Sequence, residues 1–226
     1  MYLSALGNVI EAQLRLDSVH LFLVPLFHAN SWIFPYAVTA ISGTSRDILG
    51  DMLIQCGYSD SFVFLLICPL FVFHSIATHV MIRKMDYDLI WDILLKENVT
   101  HLNGAPTIMI QIVHHPKAIE LPKAIMCTVA GSAPTATLIA RMKELNMDVC
   151  HVYGLTETYG PTTKAYHQTE WDDLSLDDRA KQLARQGHVY LVSDDVRVVD
   201  TEMRDTAWDG KEVGEIVFRG NLIMKV

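Results

Sequence analysis

The stretch AIMCTVAGSAPTATLIARMKELNMDVCHVYGLTETYGPTTK, Ala124–Lys164, changes hydrophobic rhythm twice. AIMCTVAG (124–131) is a short apolar run with β-branched content and reads as a strand. APTATLIARMKEL (133–145) places apolar residues at helical spacing, with Pro134 suited to a first turn and Ser132 before it as a cap. DVCHVYG (148–154) is strand-like again. Strand, helix, strand within about thirty residues is the βαβ unit of a parallel sheet.

Working outward, the same alternation continues. Residues 3–15 carry helical spacing through Leu6, Val9, Ile10 and Leu14, and VHLFLVPLF (19–27) is a strand-length apolar run. DYDLIWDILLKEN (86–98) is an amphipathic helix with Asp86 as its N-cap. VTHLNGAP (99–106) is a short strand ending in a turn, followed by a helix opened by Pro106. DDVRVVD (194–200) and GEIVFRG (214–220) alternate as half-buried strands around the turn WDG (208–210). The fold class is α/β, a layered, mostly parallel sheet with flanking helices. Ligands in such sheets lie beyond the carboxyl ends of the strands, where AGSAP and YGLTETYG both fall.

Composition narrows the functions. Half of the 226 residues are hydrophobic and the formal net charge is −8. The acidic balance argues against nucleic acid as a partner. Cys56, Cys68, Cys127 and Cys150 form no CxxC pair and read as buried free thiols. His114 and His115 are adjacent and point apart, so neither reads as a metal ligand. The first residues lack the basic start and long apolar centre of a secretory signal, and the last carry no peroxisomal tripeptide. The expected location is cytoplasmic. One anomaly stands out: from Phe62 to Ile82 no residue is formally charged, 21 residues in all. That is long enough for a single membrane span. Pro69, His74, Ser75, Thr78 and His79 weaken this reading, and a buried segment is the alternative.

Two loops carry the candidate chemistry. In AGSAP, Gly131 permits close backbone approach by a ligand, and the helix start offers unpaired amides. An ordinary capped strand-to-helix turn explains the same residues. In HVYGLTETYGPTTK (151–164), Gly154 permits tight approach, and Thr156 and Thr158 offer hydroxyls suited to phosphate oxygens. Glu157 is a carboxylate of the kind that holds Mg²⁺ together with phosphates, and Tyr153 presents a flat face. A polar turn bonded to its own backbone is the competing reading. The two loops flank one strand–helix–strand unit and so converge at one sheet edge.

VAGSAPTATLIARM, VYGLTETYGP and GEIVFRGNLIMK together resemble the adenylate-forming acyl-activating superfamily of acyl-CoA synthetases, 4-coumarate ligases and luciferases. VPLFHANSWIFPYAV, RKMDYDLIWDILLKENVTHLNGAPT and WDDLSLDDRAKQLARQGH resemble its medium-chain and aromatic acid ligase branch. The resemblance implies a partial AMP-binding (adenylation) domain over 1–226, the incomplete central part of the large N-terminal domain. It implies joining of a carboxylic acid to ATP as an acyl-adenylate, then transfer to coenzyme A. Gly131, Ser132, Ala133 and Pro134 would border the adenine, with Tyr153 stacked on it and Gly154 beside it. Thr156 would bind the α-phosphate and Glu157 Mg²⁺. His28 matches a gate near the carboxylate, and Asn103, Gly104 and Ala105 match the turn lining the acyl pocket.

The chain departs from this pattern in four places. No Ser/Thr/Gly-rich loop ending in Pro-Lys-Gly is found; ISGTSRD (41–47) follows the histidine motif and lacks the Lys-Gly. The Tyr-x-Thr-Gly-Asp stretch and the C-terminal lysine-bearing domain are missing. Residues 41–76 separate FPYAVTAI from ATHVMIRKMD, which the family joins almost directly, so they read as an apolar insertion foreign to it. The expectation is a chain of ligase descent that is catalytically incompetent by itself. The alternatives are a non-catalytic nucleotide-binding remnant and a membrane-associated fragment anchored through 62–82.

Overall fold

A computed structural model describes residues 2–25, 27–41, 43–45, 77–82 and 84–225, with backbone alone at 30, 32 and 43–45. The described strands are β1 (Val19–Phe22), β2 (Gly43–Ser45), β3 (Ala77–Met81), β4 (His101–Gly104), β5 (Ile125–Val129), β6 (Met147–Leu155), β7 (Gly160–Lys164) and β8 (His188–Val189). They form one sheet in the order β2-β3-β1-β4-β5-β6-β7-β8. Every pairing from β2 to β6 is parallel. β7 and β8 return antiparallel, an extension that the sequence reading lacked. β9 (Arg197–Val199) and β10 (Glu215–Val217) form a separate antiparallel pair flanking the WDG turn.

Helices lie on both faces because alternate strand residues are apolar on both. One face is covered by α4 (Tyr87–Lys96), α5 (Pro106–Val113) and α6 (Ala136–Glu144). Leu21, Val80, Leu102, Cys127 and Val129 meet Trp91, Met109, Ile112 and Met142 there in the main core. Each fully buried side chain of this size contributes about 1.5–3 kcal/mol. The Asp86 carboxylate accepts from Leu89 N–H at 3.1 Å as the expected cap of α4. Trp91 Nε1–H donates to Ile112 O at 3.0 Å and ties α4 to the end of α5. Pro106 opens α5. The cap of α6 is Thr135, whose hydroxyl accepts from Leu138 N–H at 3.2 Å. Ser132 therefore does not cap the helix: α6 starts at Ala136, which places Leu138, Ile139 and Met142 inward. α7 (Leu176–Leu183) is capped by Ser175 and packs on α6 through Ala180, Ile139 and Ala140.

The opposite face carries a smaller layer of α1 (Tyr2–Glu11), α2 (Ala29–Trp32) and α3 (Phe34–Ala40). Phe22, Ile33, Phe34, Ala37, Val38 and Ala77 form its core with Ala12 and Leu14. Polar groups also bind it. The Glu11 carboxylate, 8% exposed, meets Lys164 Nζ at 3.1 Å, Tyr166 Oη and Leu191 N–H at 3.2 Å. Tyr190 Oη donates to Asn8 Oδ1 at 3.0 Å. α1 is thus pinned to the antiparallel end of the sheet.

Residues 77–81 form β3, hydrogen-bonded between β1 and β2, so the end of the candidate span over 62–82 is a sheet strand. Residues 46–76 lie outside the described residues, as does most of the candidate insertion with Cys56 and Cys68. Among the described residues, no helix is long and apolar enough to cross a membrane. Gly43–Ser45, inside ISGTSRD, is an edge strand paired with β3.

Candidate functional site

Four neighbouring parallel strands end at one cavity. Beyond β1 come Val24, Pro25, His28 and Ala29; beyond β4, Ala105 and Ile108; beyond β5, Ala130 and Gly131; at the end of β6, Val152 and Gly154–Glu157. With Gly160 and Pro161 they enclose about 400 Å³. This is the crevice outside the carboxyl ends of the strands that the sheet topology predicts.

The β6–β7 hairpin builds one wall. Its register shifts between Tyr153 and Gly154, and such bulges re-aim the side chains beyond them. Gly154 is required by close approach: a Cβ there would lie 2.0 Å from Gly160 O and 2.8 Å from Pro161 Cα. The connecting turn is stapled from inside by Thr158. Its buried hydroxyl accepts from Leu155 N–H at 2.8 Å and donates to Gly160 O at 2.7 Å. The expectation that Thr158 offers its hydroxyl to a phosphate is thereby corrected, because the tight hairpin consumes it. Thr156 and Glu157 remain exposed and line the cavity. From outside, Met224 N–H donates to Glu157 O at 2.8 Å.

The other wall is the β5–α6 loop. Gly131 has φ +91° and nothing within 4 Å of where a Cβ would sit, so its place is set by backbone conformation rather than crowding. Ser132 and Ala133 are exposed, Pro134 is buried, and none of the three lines the cavity. Tyr153 is half-buried and outside the lining, with its ring centroid 5.9 Å from that of Phe218. His28 is exposed, packs on Phe27 at 4.4 Å and precedes α2 without a side-chain capping bond. Asn103 is buried in β4. Gly104 ends that strand, where a Cβ would strike Met109 Cε at 2.1 Å. Ala105, at the cap of α5, reaches the cavity.

The structure therefore brings together His28, Ala105, Gly131, Gly154, Thr156 and Glu157. Asn103, Gly104, Ser132, Ala133, Pro134 and Tyr153 lie on the same loops behind or beside the lining. Val24, Pro25, Ile108 and Leu155 were missed; applying the carboxyl-end rule to β1 and β4 would have found the first three. Among the described residues, the lining holds one carboxylate, Glu157, and neither Lys nor Arg. A phosphate ligand would meet a negative wall unless a divalent cation bridged it. Glu157 beside the Thr156 hydroxyl suits Mg²⁺, which is held by one or two carboxylates plus substrate phosphates. No group of three or more His, Cys, Asp or Glu among the described residues could hold a metal alone.

The comparisons agree with this architecture. The family model described as AMP-binding enzyme matches residues 54–226. The chain is 36% identical over 222 residues to 4-hydroxybutyrate–CoA ligase 2 of Metallosphaera sedula, covering 97% of this chain and 34% of that protein. It is 33% identical over 228 residues to the peroxisomal acetate/butyrate–CoA ligase of Arabidopsis thaliana, covering 99% and 34%. The chain thus spans about a third of the length of the curated relatives it matches. Among solved structures, O-succinylbenzoate coenzyme A synthetase of Bacillus subtilis, in complex with ATP and magnesium ion, superposes with TM-score 0.69 at 15% identity, over 100% of this chain and 37% of that one. The N-terminal domain of FACL13 from Mycobacterium tuberculosis gives 0.67 at 16% identity, over 98% and 45%. At these identities the structural likeness speaks for the fold alone. The match over 54–226, on a parallel sheet whose strand ends converge on the AGSAP and YGLTET loops, establishes that the chain belongs to the AMP-binding enzyme family.

Proposed function

We propose that the cavity binds the adenylate end of ATP and the carboxylate it activates, as part of an acid–CoA ligase reaction whose acceptor is coenzyme A. The observation carrying this reading is the convergence of Gly131, Gly154, Thr156 and Glu157 on one cavity. Gly131 and Gly154 let backbone approach a purine and its phosphate, with Ser132, Ala133, Pro134 and Tyr153 bordering the base. Thr156 donates to the α-phosphate. Glu157 holds Mg²⁺, and the metal, when bound, neutralises charge developing on the phosphates. Val24, Pro25, Ala29, Ala105 and Ile108 give the acyl side an apolar, small-residue floor, with His28 at its mouth and Asn103 and Gly104 behind it. That floor suits a short aliphatic acid.

We further propose that these 226 residues bind nucleotide weakly and do not turn over. Removing one preorganised donor costs about 10²–10³ in rate, and the sequence contains no Pro-Lys-Gly phosphate loop. Residues 41–76 are proposed to be an insertion. The register Gly43↔Ala77 sets the start of this segment beside the residue that follows it, so a short linker is enough to join α3 to β3. The test is a thermal shift with ATP, with and without Mg²⁺, together with pyrophosphate exchange using butyrate. A Mg²⁺-dependent shift, abolished in Glu157→Gln and without exchange, is expected. Exchange above background overturns the incompetence, and an absent shift overturns nucleotide binding.

A further inference from the structure

Three imidazoles stand in one row across the sheet, outside the cavity lining. In register, His20 of β1 faces His79 of β3 on one side and His101 of β4 on the other. All three are buried, His20 completely. They lie on the α1–α3 face: the His20 ring packs 4.4 Å from Phe22 and 4.9 Å from Phe34, and His79 stacks on Phe22 at 5.6 Å. His20 and His101 are nearly parallel at 6.3 Å. His101 is satisfied as the neutral form. Its Nε2–H donates to Ala12 O just past the end of α1, and Nδ1 lies 2.7 Å from the Thr100 hydroxyl. Both ring nitrogens of His20 and Nδ1 of His79 are enclosed without a hydrogen-bond partner among the described residues.

A proton arriving at His20 finds no acceptor among the described residues. Among the described residues, the charged and titratable groups on the elements packed around the row are few. Glu11 of α1 is bound by Lys164 and Tyr166. Arg15 and Asp17, before β1, act on His101 with opposite sign. Burial, then the two neighbouring imidazoles, hold His20 well below the ordinary histidine value. Burial brings His79 down to about 4 and lowers His101, against the pull of the Ala12 carbonyl. Among the described residues, the layer that encloses them is the smaller of the two, with eight buried apolar residues against twenty on the opposite face.

We propose that the row is an acid-sensitive latch: mild acid releases the α1–α3 layer from the sheet while α4, α5 and α6 stay packed on the other face. The latch also touches the candidate site. Ser4 Oγ donates to Tyr159 O at 3.2 Å, and Tyr159 packs against the same small core. Release of α1 therefore unhooks the turn that carries Thr156 and Glu157.

The sign follows from linkage. Released histidines titrate near about 6.5 and enclosed ones lower, so the released state binds more protons below that value. The opening equilibrium rises as pH falls, by up to tenfold per pH unit for each histidine, and His79 stops contributing below its own value of about 4. The test is hydrogen–deuterium exchange of the full chain between about pH 7.5 and 4.5, corrected for intrinsic rates. Peptides over 2–11, 34–40 and 156–159 should lose protection with a slope of two to three protons, while 87–96 and 106–113 keep theirs. In His101→Gln, whose amide can still donate to Ala12 O, the slope should fall by about one proton; His20→Leu should do the same. The latch is overturned if both faces lose protection with one slope, or if neither variant changes it.

Discussion

Replacing Thr158 by Val separates two roles that its sequence context leaves open. The side chain is 2% exposed, and valine preserves its shape. What disappears is one acceptor for Leu155 N–H at 2.8 Å and one donor to Gly160 O at 2.7 Å. The enclosed Gly160 O left without its donor costs about 1–3 kcal/mol, and the N–H of the exposed Leu155 costs less, so Thr158→Val should destabilise the chain by roughly 2–4 kcal/mol. Domains of this kind are stable by about 5–15 kcal/mol, so the variant should fold with a lowered urea midpoint and an unchanged m-value. Thr158→Ser keeps the hydroxyl and loses one methyl, worth about 1 kcal/mol. Urea unfolding of all three chains, followed by the Mg²⁺–ATP thermal shift on the folded variants, gives the answer. A Val variant of wild-type stability that has lost its nucleotide response would refute the staple and return the hydroxyl to the ligand.

Other perturbations divide along equally local lines. Gly154→Ala must displace backbone atoms of Gly160 and Pro161, so it should cost at least the 1–3 kcal/mol of ordinary overpacking and abolish the nucleotide shift. Gly131→Ala meets nothing within 4 Å and strains only φ +91°; it should cost about 1–2 kcal/mol, readable in the same melts. Lys164→Ala strands the Glu11 carboxylate in a nearly closed site and should lower stability by about 3–5 kcal/mol. Lys164→Met paired with Glu11→Gln should recover much of that loss. Burial pushes the Cys127 thiol well up and raises Cys150, so iodoacetamide at pH 8 should label neither until urea is added, as peptide mass mapping will record.

Where sequence reading succeeded, the deciding interaction was local. Asp86 and Pro106 are helix starts because the groups they satisfy lie within one turn of them. The two ligand loops were legible for a similar reason: each is a few residues long and sits at a strand end. Reading failed where a distant partner decides. Ser132 and Thr135 are both competent caps, and the choice belongs to the burial of Leu138 and Met142 against a sheet built from other segments. β7 reads as a polar loop, yet Pro161, Thr162 and Thr163 are buried, because an antiparallel neighbour satisfies their backbone. The histidine row is invisible in one dimension: residues 20, 79 and 101 meet only through the crossed strand order β3-β1-β4.

That strand order also explains why the site and the latch coexist on one sheet. Parallel strands place all their carboxyl ends at one edge, so the loops after β1, β4, β5 and β6 converge whatever packs beneath them. The same register sets His20, His79 and His101 side by side beneath the α1–α3 layer. A phosphate ligand against Glu157 needs positive charge, and the described residues of the cavity lining contribute none. Occupancy thus depends on a cation brought with the ligand and on a turn held rigidly enough to receive it. The turn is held by Thr158 from within, Met224 from outside and Ser4 of α1 from below. Only the last of these anchors passes through the histidine-bearing layer. Acid should therefore loosen nucleotide binding before it unfolds the main core.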